Sequence, residues 1–173
     1  MSLTALPVGD AADEAIDRLL IEPVLAARYL PTPHASVIDI GSGGGSPAIP
    51  MKLAAPGISM RMVESKTRKA AFLREAVRQL GLAQTVVESC RFEELLAKPE
   101  LHDSVDVVTL RAVKVDQKTL AALQSFLKPG GQLFLFTAVS AREVVPPPQL
   151  ARSGSHVLLP HLGSRLETLH KNS

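Results

Sequence analysis

Aromatic residues make up only 3% of the 173-residue chain, with five Phe, one Tyr and no Trp. So few rings leave no row of stacking platforms of the kind that grips single-stranded nucleic acid. Cysteine is scarcer still. The lone Cys90 excludes an intrachain disulfide framework and a zinc site built on several cysteines. The five histidines, His34, His102, His156, His161 and His170, are scattered without metal-ligand spacing, so no metal is expected. Cys90 beside Arg91 allows a lowered thiol pKa, but a small core or loop residue is the favoured reading. Charge of one sign is also lacking: 19 Lys+Arg against 17 Asp+Glu leave +2, too little to name a polyanionic partner from the total. The most apolar stretch, Leu120 to Ala141, is broken by Lys128 and Pro129-Gly130-Gly131, so it is not a membrane span of ~20 residues. The first residues carry Asp10, Asp13 and Glu14 and lack the basic and apolar regions of a secretory signal. With 46% apolar and 21% charged residues, the expectation is one compact cytoplasmic domain with a sizeable core and no membrane contact.

What is present is an alternation of two periods. Asp13–Leu30 places Ile16, Leu19, Leu20, Val24 and Ala27 at a spacing that puts them on one helical face, and Pro23 must kink the helix or start a second one. Residues 1–34 therefore read as an N-terminal helical segment preceding the domain of residues 35–173. Strands are expected at Ala35–Ile40, Ile58–Val63, Gln84–Glu88, Val105–Leu110 and Leu133–Val139. Helices are expected at Pro47–Ala55, Lys66–Leu80, Phe92–Ala97 and Lys114–Leu127, with a turn at Lys128–Gly131. This alternation predicts an α/β fold: a mostly parallel sheet with helices on both faces. Gly154–Leu159 and Leu166–His170 are separated by a link too short for a crossover, so they must form a C-terminal antiparallel hairpin and bring the strands to seven.

The segment Val37-Ile-Asp39-Ile-Gly41-Ser42-Gly43-Gly44-Gly45-Ser46-Pro47 follows the first strand directly. Glycines there let the backbone turn sharply and approach a ligand at the carboxyl edge of the sheet. The sixth residue counted from Gly41 is Ser46, not the third glycine of a dinucleotide loop, and no Gly-Lys-Ser/Thr run is present to make a phosphate loop. Asp39, two residues before the loop, would repel a pyrophosphate and suits the cationic amino group and sulfonium of S-adenosylmethionine. Glu64 closes the second strand 23 residues after Gly41, where a carboxylate can accept hydrogen bonds from both ribose hydroxyls.

With these, Asp39–Pro50 (DIGSGGGSPAIP), Ser89-Cys-Arg91-Phe-Glu93-Glu94, Asp106–Val113 and Leu127-Lys-Pro-Gly-Gly131 resemble the glucose-inhibited division protein B family, bacterial small-subunit ribosomal RNA guanine-N7 methyltransferases. The resemblance runs from about Leu19 to Lys171. It implies a Rossmann-like class I methyltransferase fold, S-adenosylmethionine as cofactor, and ribosomal RNA or the small ribosomal subunit as partner of a monomeric enzyme. It places Gly41 and Ser46 against the cofactor, Glu64 at the ribose, Phe92-Glu93 at the adenine and Arg111 at the mouth of the site. The chain departs from the family's usual residues at Ser46 (bulky apolar), Ala48 (Gly) and Thr137-Ala138 (Lys-Gly). It also has a shortened N-terminal region, where Leu19, Glu22 and Pro23 align with a His-x-x-Asp-Ser sequence.

The basic residues Lys66, Arg68, Lys69, Arg91, Arg111 and Lys114 all follow predicted strands, which places them on the carboxyl edge, where they would meet RNA phosphates or form a solvated rim. Guanine N7 carries its own lone pair, so methyl transfer needs alignment and desolvation but no general acid or base. Arg111 is the one positioning candidate: it could hold the cofactor carboxylate, hydrogen-bond the guanine, or only anchor its own loop. A small-molecule methyltransferase and a non-catalytic S-adenosylmethionine-binding interaction module are the alternatives these residues leave open.

Overall fold

The computed structural model describes residues 10–111, 115–141 and 144–172. Lys114 and the start of its expected helix, together with residues 1–9 of the N-terminal segment, lie outside the described residues.

Seven strands form one sheet: β1 (Ser36–Ile40), β2 (Ser59–Val63), β3 (Thr85–Glu88), β4 (Val105–Arg111), β5 (Leu127–Ala138), β6 (Leu150–Leu159) and β7 (Ser164–Lys171). Their order is β3-β2-β1-β4-β5-β7-β6, with β1 to β5 parallel and β7 antiparallel to both its neighbours. The short turn between β6 and β7 forces the antiparallel pairing, as expected. The sheet winds outward one way through β2 and β3 and the other way from β4 onward. A crevice therefore opens at the carboxyl ends of β1 and β4, the switch point where sheets of this class hold ligands.

The helices are α1 (Asp10–Ile16), α2 (Glu22–Ala26), α3 (Ala48–Ala54), α4 (Thr67–Gln79), α5 (Phe92–Leu96) and α6 (Gln117–Leu123). Alternation along the strands sorts the core into two layers. Ile38, Ile40, Val108, Leu110, Leu133 and Leu135 pack with Leu95 of α5 and with Leu120 and Leu123 of α6. Val37, Met60, Met62, Val107, Phe134 and Leu166 pack on the opposite face with Ala26, Ala48, Met51 and Leu73, from α2, α3 and α4. At the amino edge, Asp106 ties three strands together: Ser36 donates to its Oδ2 through both N and Oγ at 2.7 Å, and Lys128 donates to its Oδ1 at 2.8 Å.

One local expectation is refined. The turn at Lys128–Gly131 does not precede the strand but lies within the bounds of β5: Gly130 is at φ +75°, and the register against β4 passes from Leu127 opposite Val105 to Gln132 opposite Val107. On the N-terminal helix Ile16, Leu19, Leu20 and Val24 are exposed, at 44%, 46%, 50% and 40%, while Glu22, Pro23 and Ala26 are buried. A π-helical stretch, Asp17–Ile21, joins α1 to α2, and Pro23 stands in the first turn of α2.

Candidate active site

The glycine loop is held by backbone bonds to the neighbouring strand. Gly41 N and Ser42 N both donate to Val63 O, at 2.9 and 3.0 Å, and Gly45 N donates to Ser42 O at 2.7 Å. Gly43 lies at φ +55° and Gly45 at φ +98°, where L side chains are strained. A Cβ on Gly45 would also stand 2.6 Å from Ile49 Cδ1. Glu64 completes the loop from the end of β2. Its Oε2 accepts from Gly43 N at 2.9 Å and its Oε1 from Lys66 N at 2.8 Å, so one buried carboxylate ties the loop to the start of α4.

A cavity of about 730 Å³ opens over this loop. Of the residues singled out from sequence, it gathers Gly41, Ser42, Gly43, Gly45, Ser46, Glu64, Arg111, Lys66 and Lys69. Its far wall is apolar and was not anticipated: Leu19, Leu20 and Val24 of the N-terminal helix face Ile49 and Leu53 of α3. A second cavity of about 250 Å³ is lined by Gly41, Arg91, Phe92 and Glu93, together with Val63 and Ser65. Gly41 is common to both, and Glu64 lines the large one while its two chain neighbours line the small one. The carboxylate thus stands between a slot floored by Phe92-Glu93 and the space above the glycines. Ala48 is buried in the core, and Thr137 lines a third hollow with Arg18, Glu22 and Arg111.

Two expected site residues, Asp39 and Arg68, line neither cavity, and Arg111 lines the large one with its guanidinium held by groups of the protein itself. Asp39 lines neither cavity; it is wholly buried beneath the loop, accepts one bond from Thr109 Oγ1 at 2.6 Å, and leaves Oδ2 without a partner. Burial raises its carboxyl to about pKa 6, against the smaller opposing effects of the nearby Ser42 hydroxyl, which itself donates to the Asp39 backbone carbonyl, and of the Thr109 hydrogen bond. Its influence on a ligand is through the loop, not by contact. Arg68 is exposed and lines neither cavity. Arg111 reaches the cavity wall but turns inward: it is ion-paired with Glu22, donates to Arg18 O, donates to Ser46 Oγ at 3.0 Å, and lies 4.9 Å from the centre of the Phe136 ring. Burial, then the charge of Arg18, lowers its pKa to about 10, which leaves it cationic at neutral pH. Burial, reinforced by Glu88 and Glu94, pushes the Cys90 thiol up, opposite to an activated thiolate. Among the described residues no group of three or more His, Cys, Asp or Glu could hold a metal ion, and no helix is long and apolar enough to cross a membrane.

Comparison with known proteins bears on this site. The family model of rRNA small subunit methyltransferase G, the glucose-inhibited division protein B family, matches residues 4–149. The chain belongs to this family. A ribosomal RNA small subunit methyltransferase G of Stenotrophomonas maltophilia is 35% identical over 130 residues, covering 75% of this chain and 56% of the relative. One from Mycolicibacterium smegmatis is 41% identical over 121 residues, covering 68% and 51%. The chain thus spans about half the length of the curated relatives it matches. Among solved structures, a SAM-dependent methyltransferase from Aquifex aeolicus aligns with a TM-score of 0.64 at 18% identity, over 92% of this chain and 93% of that one. P. horikoshii TYW2, solved with MeSAdo, aligns at 0.68 and 11% identity, over all of this chain and 67% of its own. At such identities the likeness establishes the fold, which is the Rossmann-like class I methyltransferase fold expected from the sequence.

Proposed function

We propose that this chain is an S-adenosylmethionine-dependent methyltransferase acting on small-subunit ribosomal RNA, at guanine N7. The observation that carries the proposal is the place of Glu64, between the Phe92-Glu93 slot and the space over the glycine loop. An adenine, a ribose and an amino-acid tail joined in that order match slot, carboxylate and loop in turn. The residues present fit the group in a further respect: a Cβ on Gly44 would meet nothing within 4 Å, so the loop backbone is open to close approach. Phe92 and Glu93 would hold the adenine, Glu64 the ribose, and Gly41, Ser42, Gly43, Gly45 and Ser46 the remainder, with Asp39 buried beneath them. When bound, the cofactor supplies an electrophilic methyl group on its sulfonium.

The chain's own residues have binding and exclusion to do. Leu19, Leu20, Val24, Ile49 and Leu53 make the large cavity apolar on one side, which lowers the hydration of whatever enters it. Guanine N7 needs no proton removed, and Glu64, both of whose oxygens already accept backbone amides, is not required as a base. Lys66 and Lys69 at the cavity rim, and Arg91 at the smaller one, would meet RNA phosphates as point charges. A monomeric cytoplasmic enzyme, with Leu19, Leu20 and Val24 of the 1–34 segment as one wall of the site in the 35–173 domain, completes the proposal.

Incubation with methyl-labelled S-adenosylmethionine and either small ribosomal subunits or extracted RNA tests it. Label at guanine N7 of small-subunit RNA is expected. Absence of transfer to either substrate would overturn the RNA assignment.

A further inference from the structure

Arg111 has the position of a ligand-binding arginine and the contacts of a structural one. Its guanidinium is engaged by the Glu22 carboxylate, the Arg18 carbonyl and the Ser46 hydroxyl, and it packs on Phe136. Glu22 is itself 3% exposed, and its other oxygen accepts from Ser164 Oγ at 2.5 Å. The chain of contacts therefore runs from β7 through Glu22 and Arg111, at the end of β4, to the last residue of the glycine loop.

The N-terminal helix supplies two of these contacts for a backbone reason. In an α-helix the Arg18 carbonyl would accept from Glu22 N, but Glu22 N donates to Asp17 O across the π-helical turn. A π-type bond from Arg18 would need an N–H on residue 23, which is proline. The Arg18 carbonyl is thus left without either helical donor, and Arg111 takes it. The same turn brings Glu22 inward.

We infer that Glu22 is a positioning residue for the cofactor loop: it fixes the Arg111 guanidinium, and Arg111 in turn fixes the Ser46 hydroxyl. This rests on the glycine loop holding S-adenosylmethionine, as proposed above. Ser46 closes the loop just before α3, so freeing its side chain loosens the segment that must keep one shape to bind. Nothing in this role requires Arg111 to touch cofactor or RNA.

The test is a double-mutant cycle read by calorimetric binding of S-adenosylmethionine, with the thermal midpoint of each variant measured alongside. Glu22→Gln keeps the shape and removes the charge; Ser46→Ala removes the last link. Each is expected to weaken binding roughly tenfold, within the range for small misplacements at a distance from a site. The double variant should lose little more than the worse single one, because both cut one chain of contacts. A lowered midpoint in Glu22→Gln with wild-type affinity, or effects that multiply, would overturn the inference and make the ion pair a fold contact only. Should Glu22→Gln fail to fold, Ser164→Ala, which removes the donor to the other Glu22 oxygen, takes its place in the cycle: it must weaken binding with Ser46 intact and add little once Ser46 is alanine, and wild-type affinity in Ser164→Ala would overturn the inference. Wild-type protein that binds no S-adenosylmethionine overturns the proposed function, and this inference with it, whereas normal wild-type binding with unaffected variants overturns the inference alone.

Discussion

Asp39 offers a test of the site's electrostatics that needs no ligand. In the folded chain its carboxyl keeps its proton up to about pH 6, whereas in the unfolded chain it would release it near 3.8. Between those values the native state binds more protons than the unfolded state, so stability must fall as pH rises through the window. The gap corresponds to about 3 kcal/mol, lost in full once both states are ionised. Asp39→Asn carries no such titration. Whatever fixed cost or gain the amide brings beside the partnerless Oδ2 position, the stability of the variant relative to wild type should grow by about 2 kcal/mol from about pH 4 to about pH 7. Urea unfolding of both proteins at several pH values measures it, and the subtraction removes every other carboxylate that titrates alike in the two. A difference that stays constant across the window would refute the assignment of a desolvated, acid-favouring Asp39. Thr109→Val provides the sign check: the hydroxyl donates to the carboxylate and holds its pKa down, so its loss should move the window to higher pH.

Three further outcomes follow from the same geometry. Gly43→Val puts a β-branched side chain at φ +55°, a strain of about 1–2 kcal/mol or more, and into the space over the loop; S-adenosylmethionine binding should vanish while circular dichroism shows a folded chain, and unchanged affinity contradicts the loop assignment. Lys66→Ala with Lys69→Ala removes two cations from the rim, so the slope of log affinity for single-stranded RNA against log salt should become shallower by about 1.4; an unaltered slope means the two lysines form a solvated rim only. Leu73→Ala in α4 should cost about 2–5 kcal/mol in denaturant unfolding, because the side chain is fully buried, whereas Leu20→Ala on the exposed helix face should cost less than about 0.5 kcal/mol.

The α/β alternation, the antiparallel ending and the places of the glycine loop and Glu64 were all legible, because each depends on local chemistry: strand periodicity, a link too short to cross over, glycine at a strand end. The π-helical turn before Pro23 was not, since nothing in the apolar spacing marks a departure from 3.6 residues per turn there. Side-chain direction at the carboxyl edge is legible in part. Alternation carries Val37 to Asp39, and Val107 through Thr109 to Arg111, on one face of the sheet, and the parallel register sets Asp39 opposite Thr109. That face is the one covered by α2, α3 and α4, so an arginine two residues beyond Thr109 points beneath the N-terminal helix. A cation so placed must find an acid there or remain unpaired in low dielectric, at a cost of several kcal/mol. Glu22, the acid standing directly before the helix-breaking Pro23, is the residue the structure supplies.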